Sequence, residues 1–134
     1  MDKIKVIIAD DSDFVRDGMK IILDVDDDFE VLGCAANGRE AIEIAENTKP
    51  DVFLMDIQMP EMDGIEATKN IRQLTDSAKA SIPIIAVTAN AREKDRIIAL
   101  NAGMDGFVEK PIFPEKLFET MQKIFGQKDD PEEQ

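Results

Sequence analysis

The chain of 134 residues has no histidine, no tryptophan and no tyrosine, and it has a single cysteine, Cys34. The absence of histidine excludes histidine-based general base catalysis, histidine metal ligands and phosphohistidine chemistry on this chain. The lone cysteine excludes an internal disulfide bond and a cysteine-based zinc site. Any reactive site must therefore be built from carboxylates, hydroxyls, amides or lysine.

Positive charge and long apolar runs are also scarce. The formal net charge of -13 argues against unaided binding of a nucleic acid backbone, which requires clustered lysine and arginine. The longest apolar runs have about the length of a strand, far below the ~20 residues of a bilayer-spanning helix. The first residues also lack the layout of a signal peptide. We therefore expect a cytoplasmic protein that contacts neither nucleic acid nor membrane directly.

The length suits one domain with a single core. We expect that domain to cover residues 1–126 and to be followed by an acidic, flexible tail at residues 127–134. The starting methionine and the acidic tail favour a free-standing chain. A domain cut from a larger regulator or hybrid kinase stays open.

Apolar runs of strand length alternate with amphipathic helical patterns five times along the chain. The expected strands are residues 4–9, 30–35, 52–55, 84–87 and 106–109. The expected helices are residues 12–24, 38–46, 65–74, 91–102 and 114–125. Runs rich in valine and isoleucine without polar alternation suit strands that are buried on both faces of a parallel sheet. The pattern predicts an α/β fold, with a doubly wound five-stranded parallel sheet and five helices.

Acidic residues follow two of these expected strands. Asp10 and Asp11 close the first strand, and Asp56 closes the third. Ligands of open parallel sheets bind at the carboxyl ends of the strands, where the strand order switches, and an order of 2-1-3-4-5 places the switch between these two strands. Carboxylates gathered there repel one another unless a cation joins them, and Mg2+ prefers oxygen ligands of this kind.

The fourth and fifth expected strands end in groups that can bind an anion. Thr88 and then Ala89 place a hydroxyl and a backbone N–H at one strand end. Lys110 places an ammonium group at the other, and its bond to the following proline can be cis. Each feature alone has an ordinary alternative: helix capping for the acidic pair, a hydroxyl bonded to its own backbone, and a solvated lysine. Their common position at strand ends favours a site for a cation and a phosphoryl group.

These residues are where the chain resembles a known family, the receiver domain of two-component response regulators, which has a flavodoxin-like fold. The resemblance covers roughly residues 3–125. It rests on four motifs with their spacing, namely the pair Asp10-Asp11, the stretch MDIQMPEMDG around Asp56, the sequence TAN at Thr88, and AGMDGFVEKPI with Lys110.

The resemblance implies a metal-dependent phosphoryl acceptor. Asp56 would accept a phosphoryl group from a phosphohistidine on a partner histidine kinase or phosphotransfer protein. Asp11 and Asp56 would ligate Mg2+ directly with the backbone carbonyl of Gln58, and Asp10 would act through water. The chain would be a signalling module and not an enzyme, with only self-directed phosphotransfer and dephosphorylation.

The resemblance also implies a conformational switch. Thr88, Lys110 and the backbone N–H of Ala89 would bind the phosphoryl oxygens. Phe107 matches the aromatic residue that turns inward when Thr88 moves, although it also suits a plain core position. The switching face would cover residues 91–125 and would bind a downstream protein.

Further properties of the family are left open by the residues alone. The positions of Gln58 and Asn90 would tune the rate of dephosphorylation, without indicating the lifetime. A monomer and a phosphorylation-dependent dimer are both compatible with the sequence. The cognate kinase and the output pathway are not indicated.

Two other functions fit the same architecture. A nucleotide- or flavin-binding domain is suggested by the glycine spacing of Gly33 and Gly38, but Arg39 and Glu40 follow where a P-loop requires lysine and serine or threonine. A metal-dependent phosphatase would use Asp56 as its nucleophile. The short connections between the expected elements leave no room for the cap that would close over a substrate.

Overall fold

The computed structural model describes residues 3–89 and 92–129, in which strands and helices alternate except that two helices follow the third strand. The strands are β1 (Ile4–Ala9), β2 (Phe29–Ala35), β3 (Val52–Asp56), β4 (Ile84–Thr88) and β5 (Gly106–Glu109). The helices are α1 (Asp13–Asp24), α2 (Gly38–Asn47), α3 (Gly64–Arg72), α4 (Ser77–Ala80), α5 (Glu93–Ala102) and α6 (Pro114–Asp129).

The five strands form one parallel sheet in the order β2-β1-β3-β4-β5. This order confirms the predicted doubly wound topology. The order reverses between β1 and β3, so the carboxyl ends of these two strands flank the crevice where such sheets bind ligands. The registers of Asp56 with Val87 and of Thr88 with Glu109 bring the ends of β3, β4 and β5 to one edge.

The sheet is covered on both faces, and alternate residues of each strand enter two separate apolar clusters. Ile7 and Phe53 belong to the cluster on one face, whereas Ile8 and Leu54 belong to the cluster on the other. All five residues of β3 and of β4 are buried, as the unbroken apolar runs of these strands predict. Each large side chain buried in this way contributes about 1.5–3 kcal/mol, which makes the sheet a rigid support for its polar rim.

Local signals explain where the helices begin and end. Side chains of Ser12, Asn37 and Asp63 cap α1, α2 and α3 by accepting hydrogen bonds from backbone N–H groups of the first turn. Helix α5 ends at Gly103, which has the left-handed φ of 107° typical of a C-terminal glycine.

Two features differ from the predicted pattern. A sixth helix, α4, is a single turn capped by Asp76 and has no buried residue, so it leaves no apolar period in the sequence. Helix α6 continues past Gly126 to Asp129, three residues into the segment that we expected to be a tail, because one glycine does not outweigh the helix formers on either side. Residues 130–134 of that segment lie outside the described part of the chain. Among the described residues, no helix has the length and apolarity needed to cross a bilayer.

Candidate functional site: an acid pocket at the strand ends

Three carboxylates and one ammonium group meet at the carboxyl ends of β1, β3 and β5. One carboxylate oxygen from each of Asp10, Asp11 and Asp56 lies within 4.8 Å of the others. The Nζ atom of Lys110 lies 3.0 Å from Oδ2 of Asp10 and 3.5 Å from Oδ2 of Asp56. We call these four residues the acid pocket. The structure therefore brings together side chains that are up to 100 positions apart in the sequence.

Backbone contacts hold Asp10 at the end of β1. Its own N–H donates to the carbonyl of Ala35 at 3.0 Å, which extends the pairing with β2 by one residue. Its carboxylate Oδ1 accepts from the N–H of Ser12 at 2.9 Å, and its carbonyl accepts from the guanidinium of Arg16 at 2.6 Å. Asp10 is fully buried, whereas Asp11 beside it is exposed. The pair thus offers one inner and one outer carboxylate.

Asp56 is the last residue of β3 and is only 4% exposed. Its Oδ1 accepts a hydrogen bond of 3.2 Å from the backbone N–H of Gln58. The next residue, Ile57, donates its N–H to the carbonyl of Val87 at 3.2 Å, which ties the start of the following loop to β4. The carboxylate of Asp56 is consequently held at the rim with its position determined by the sheet.

Lys110 follows β5 directly, and its backbone N–H donates to the carbonyl of Thr88 at 2.8 Å. This bond sets the lysine and the end of β4 side by side. Thr88 is 3% exposed, and the Lys110 side chain is partly buried. The bond between Lys110 and Pro111 is cis, as the sequence allowed.

The burial of like charges changes the acidity of the pocket. Burial and the neighbouring charge of Asp10 raise the pKa of Asp56 from 3.8 to about 6, against the opposing charge of Lys110. Burial acts to lower the pKa of Lys110, but close contact with Asp10 and the charge of Asp56 outweigh it and raise that pKa. Asp56 is thus a destabilised carboxylate that gains from any additional positive charge.

The pocket has the properties of a site for a hard divalent cation. Oδ2 of Asp10 is buried and receives no hydrogen bond from the described residues, although the Lys110 ammonium lies close to it. Three carboxylates also face a single ammonium group, so negative charge is in excess. Carboxylate oxygens are the ligands that Mg2+ prefers. The residues present therefore fit a bound Mg2+.

The other residues predicted for the site occupy the surrounding rim. The Gln58 side chain is exposed, and Ala89 is an exposed residue of the bend after β4. Phe107 in β5 is half-buried, and the guanidinium of Arg96 stacks 4.6 Å above the centre of its ring. Asn90, expected to tune dephosphorylation, lies outside the described residues, as does the first residue of the expected switching face.

Sequence reasoning missed three residues that support the site. Arg16 binds the carbonyl of Asp10, and its only signal in the sequence is its place in the first turns of α1. The N–H of Gly38 donates to the carbonyl of Met62 at 2.9 Å, and that of Gly64 donates to the carbonyl of Ile57 at 2.9 Å. The sequence around Gly38 gives no signal of this contact, since its partner lies 24 positions along the chain.

Comparison with known proteins finds the same family throughout. The family model described as "Response regulator receiver domain" matches residues 6–122. The chain is 43% identical to the uncharacterized transcriptional regulatory protein YhcZ of Bacillus subtilis, over 92% of this chain and 56% of that protein. It is 40% identical to the chemotaxis protein CheY of Thermotoga maritima, over 90% of this chain and 96% of that protein.

Solved structures agree with the sequence comparison. The receiver domain of the sensor histidine kinase PA1611 from Pseudomonas aeruginosa, described with a magnesium ion coordinated in its active site cleft, superposes with a TM-score of 0.82. It is 31% identical, and the match covers 92% of this chain and 98% of that domain. The chain spans about half the length of YhcZ and of two other curated transcriptional regulators of Bacillus subtilis that it matches.

Proposed function

Since the chain belongs to the response regulator receiver domain family, we propose that Asp56 accepts a phosphoryl group from a histidine kinase or phosphotransfer protein. Receiver domains act as signalling modules between such donors and downstream effectors. The observation that carries the proposal is the buried carboxylate of Asp56, 3.5 Å from the Lys110 ammonium and beside two further acids. The transfer would take place in the cytoplasm, where donors of this kind operate in the family.

Phosphoryl transfer to Asp56 requires few catalytic groups from the protein. An oxygen of the Asp56 carboxylate attacks phosphorus, and the bond from phosphorus to the donor imidazole breaks as the new oxygen–phosphorus bond forms. The imidazole nitrogen keeps the bonding electron pair and takes up a proton from solvent. With a pKa of about 6, Asp56 is mostly ionised at pH 7 and is therefore nucleophilic. Positioning and charge supply the rest of the catalysis.

Four oxygen donors would hold Mg2+ in the acid pocket. Asp11 and Asp56 would bind it directly with the backbone carbonyl of Gln58, and Asp10 would act through a water molecule. A bound Mg2+ supplies positive charge that offsets the negative charge of the phosphoryl oxygens. The excess of carboxylates over ammonium groups and the buried Oδ2 of Asp10 support this assignment.

Three further groups at the strand ends would bind the phosphoryl oxygens. The Lys110 ammonium lies 3.5 Å from the Asp56 carboxylate. The backbone N–H of Lys110 donates to the carbonyl of Thr88, which keeps Thr88 beside the lysine. The N–H of Ala89 would add a neutral donor. These groups favour the doubly charged phosphoryl group, because it brings more negative charge to the ammonium than the carboxylate alone.

Phosphorylation would then bias the surface around β5. Movement of Thr88 toward the phosphoryl group would let the half-buried Phe107 turn inward and leave its contact with Arg96. The altered face, within residues 92–125 of the described chain, would bind the downstream protein. Gln58 and Asn90 would set how long the acyl phosphate lasts. Light scattering with and without a phosphodonor distinguishes a monomer from a phosphorylation-dependent dimer.

Incubation with acetyl phosphate and Mg2+ tests the proposal. We expect one phosphoryl group per chain, measured by intact mass spectrometry, and no addition to the Asp56→Asn variant, which keeps the size of the side chain but removes the nucleophile. Equal addition to both proteins contradicts the assignment of Asp56. Sustained turnover of small phosphoesters in place of stoichiometric labelling would favour a phosphatase, and tightly retained flavin or nucleotide would favour a cofactor-binding domain.

A further inference from the structure

The loop that joins β3 to α3, residues 57–63, is held at both ends by backbone contacts with glycine. We call it the acceptor loop because it follows Asp56 and contains Gln58, whose carbonyl is the proposed Mg2+ ligand. At its start, the carbonyl of Ile57 accepts from the N–H of Gly64 at 2.9 Å. Near its end, the carbonyl of Met62 accepts from the N–H of Gly38, the first residue of α2, at 2.9 Å.

Neither glycine has room for a side chain. A Cβ atom on Gly38 would lie 2.4 Å from the carbonyl oxygen and 3.0 Å from the carbonyl carbon of Met62. A Cβ atom on Gly64 would lie 2.2 Å from the carbonyl oxygen of Asp56. The closest atoms belong to the backbone, so a larger residue at Gly38 forces the loop to move, and one at Gly64 displaces the end of β3 from which the loop starts.

The acceptor loop also contains a strained residue. Glu61 has a φ of 64°, in the left-handed region that residues with a side chain rarely adopt. A residue in this conformation persists only where its surroundings over-determine it. The next residue is Met62, whose carbonyl is bound by Gly38. The Gly38 contact is therefore well placed to hold the loop in a shape that it would not adopt alone.

We propose that Gly38 is a positioning residue for the metal site, acting through Met62 on the acceptor loop and so on the Gln58 carbonyl. This inference rests on the proposed binding of Mg2+ in the acid pocket. Gly38 belongs to α2, which contributes none of the proposed metal ligands. Residues that contact a metal ligand but not the metal can orient that ligand, and their loss costs 10- to 100-fold in metal affinity. We expect an effect of this kind from Gly38.

Isothermal titration calorimetry with Mg2+ tests the inference on the full chain. We expect the Gly38→Ala variant to bind Mg2+ at least 10-fold more weakly than the unaltered protein. Phosphoryl labelling by acetyl phosphate should need a correspondingly higher Mg2+ concentration and should reach the same final extent. Gly18→Ala is the matched control, because a Cβ atom there meets nothing within 4 Å. It should leave the Mg2+ affinity unchanged. A Gly38→Ala protein with intact circular dichroism and unaltered Mg2+ affinity overturns the inference.

Amide hydrogen exchange of the unaltered protein gives a second test that needs no variant. Coupling between two sites is reciprocal, so if the Gly38 contact favours Mg2+, then bound Mg2+ must favour that contact. Saturating Mg2+ should slow exchange at Gly38 more than at Gly103, whose N–H bonds within α5. Equal slowing at the two amides overturns the inference. If the unaltered protein shows no Mg2+ binding, the proposed function fails; if it binds and only the Gly38 predictions fail, the proposed function stands.

Discussion

Two clusters of charged side chains lie at opposite ends of the parallel sheet, and they differ in how completely their charges are balanced. At the carboxyl ends is the acid pocket. At the amino ends is a cluster that we call the arginine cluster, formed by Arg72 and Asp105. The Arg72 guanidinium donates to Oδ2 of Asp105 at 2.9 Å and makes four bonds of 2.8–3.0 Å to the carbonyls of Ala80, Ile82 and Gly103.

The arginine cluster is complete within the chain. The same Oδ2 atom of Asp105 accepts a further bond of 2.9 Å from the N–H of Ile84, so the ion pair is joined to the start of β4. Burial lowers the pKa of Arg72, and the charge of Asp105 opposes that shift. In the acid pocket, by contrast, the described residues place three carboxylates around one ammonium group, that of Lys110, which lies 3.0 Å from Oδ2 of Asp10. The comparison indicates that one end of the sheet is built for stability and the other for binding.

The largest effect is expected from breaking the arginine cluster. Arg72→Met would leave three partly buried carbonyls without their donor, whereas Asp105 is 43% exposed and keeps its bond from Ile84. The three unsatisfied carbonyls should lower the free energy of unfolding by about 3–5 kcal/mol. Urea denaturation followed by circular dichroism measures this loss. The exposed Arg39→Met is the control and should change stability by less than about 0.5 kcal/mol. Folded Arg72→Met protein should still take up a phosphoryl group. Loss of labelling in folded protein would contradict the claim that the arginine cluster serves stability and the acid pocket serves binding.

In the acid pocket, a substitution is expected to raise the free energy of unfolding, by a smaller amount. The pKa of Asp56 is raised in the folded protein, from 3.8 to about 6, so the folded state binds the proton more tightly than the unfolded state. Stability therefore falls as pH rises between these two values. Asp56→Asn removes this pH-dependent loss of stability, because asparagine does not ionise. Without divalent cations at pH 7, it should raise the free energy of unfolding by about 2–3 kcal/mol, and the gain should vanish near pH 4.

Urea denaturation at a series of pH values, in the presence of a chelator, measures the gain from Asp56→Asn. Asp51→Asn is a useful control, because Asp51 is an exposed acid at the opposite end of β3. If Asp56→Asn instead lowers the free energy of unfolding at pH 7, the Asp56 carboxylate stabilises the fold and the prediction is wrong.

The sheet was predictable from the sequence, and the acid pocket largely followed from it. Apolar runs located every strand to within one residue, and parallel pairing then places Asp56 and Lys110 at the same edge. This worked because both residues come directly at a strand end, where the fold leaves little choice of position.

Other contacts were not predictable, because nothing nearby in the sequence signals them. Arg72 resembles a solvated helix residue, yet its partners Gly103 and Asp105 lie 31 and 33 positions along the chain. The contact of Gly38 with Met62 joins the start of α2 to the acceptor loop and depends on how α2 lies against α3. The raised pKa of Asp56 depends on burial, which the sequence indicates only coarsely.

The most direct test of the account is to locate the phosphoryl group. The protein is treated with acetyl phosphate in the presence and absence of Mg2+, and the labelled chain is cleaved and sequenced by mass spectrometry. We expect a single phosphoryl group on Asp56 that appears only with Mg2+. Labelling of another residue, or labelling of Asp56 that is equally rapid in a chelator, would contradict the claim that three strand ends form one metal-assisted acceptor site.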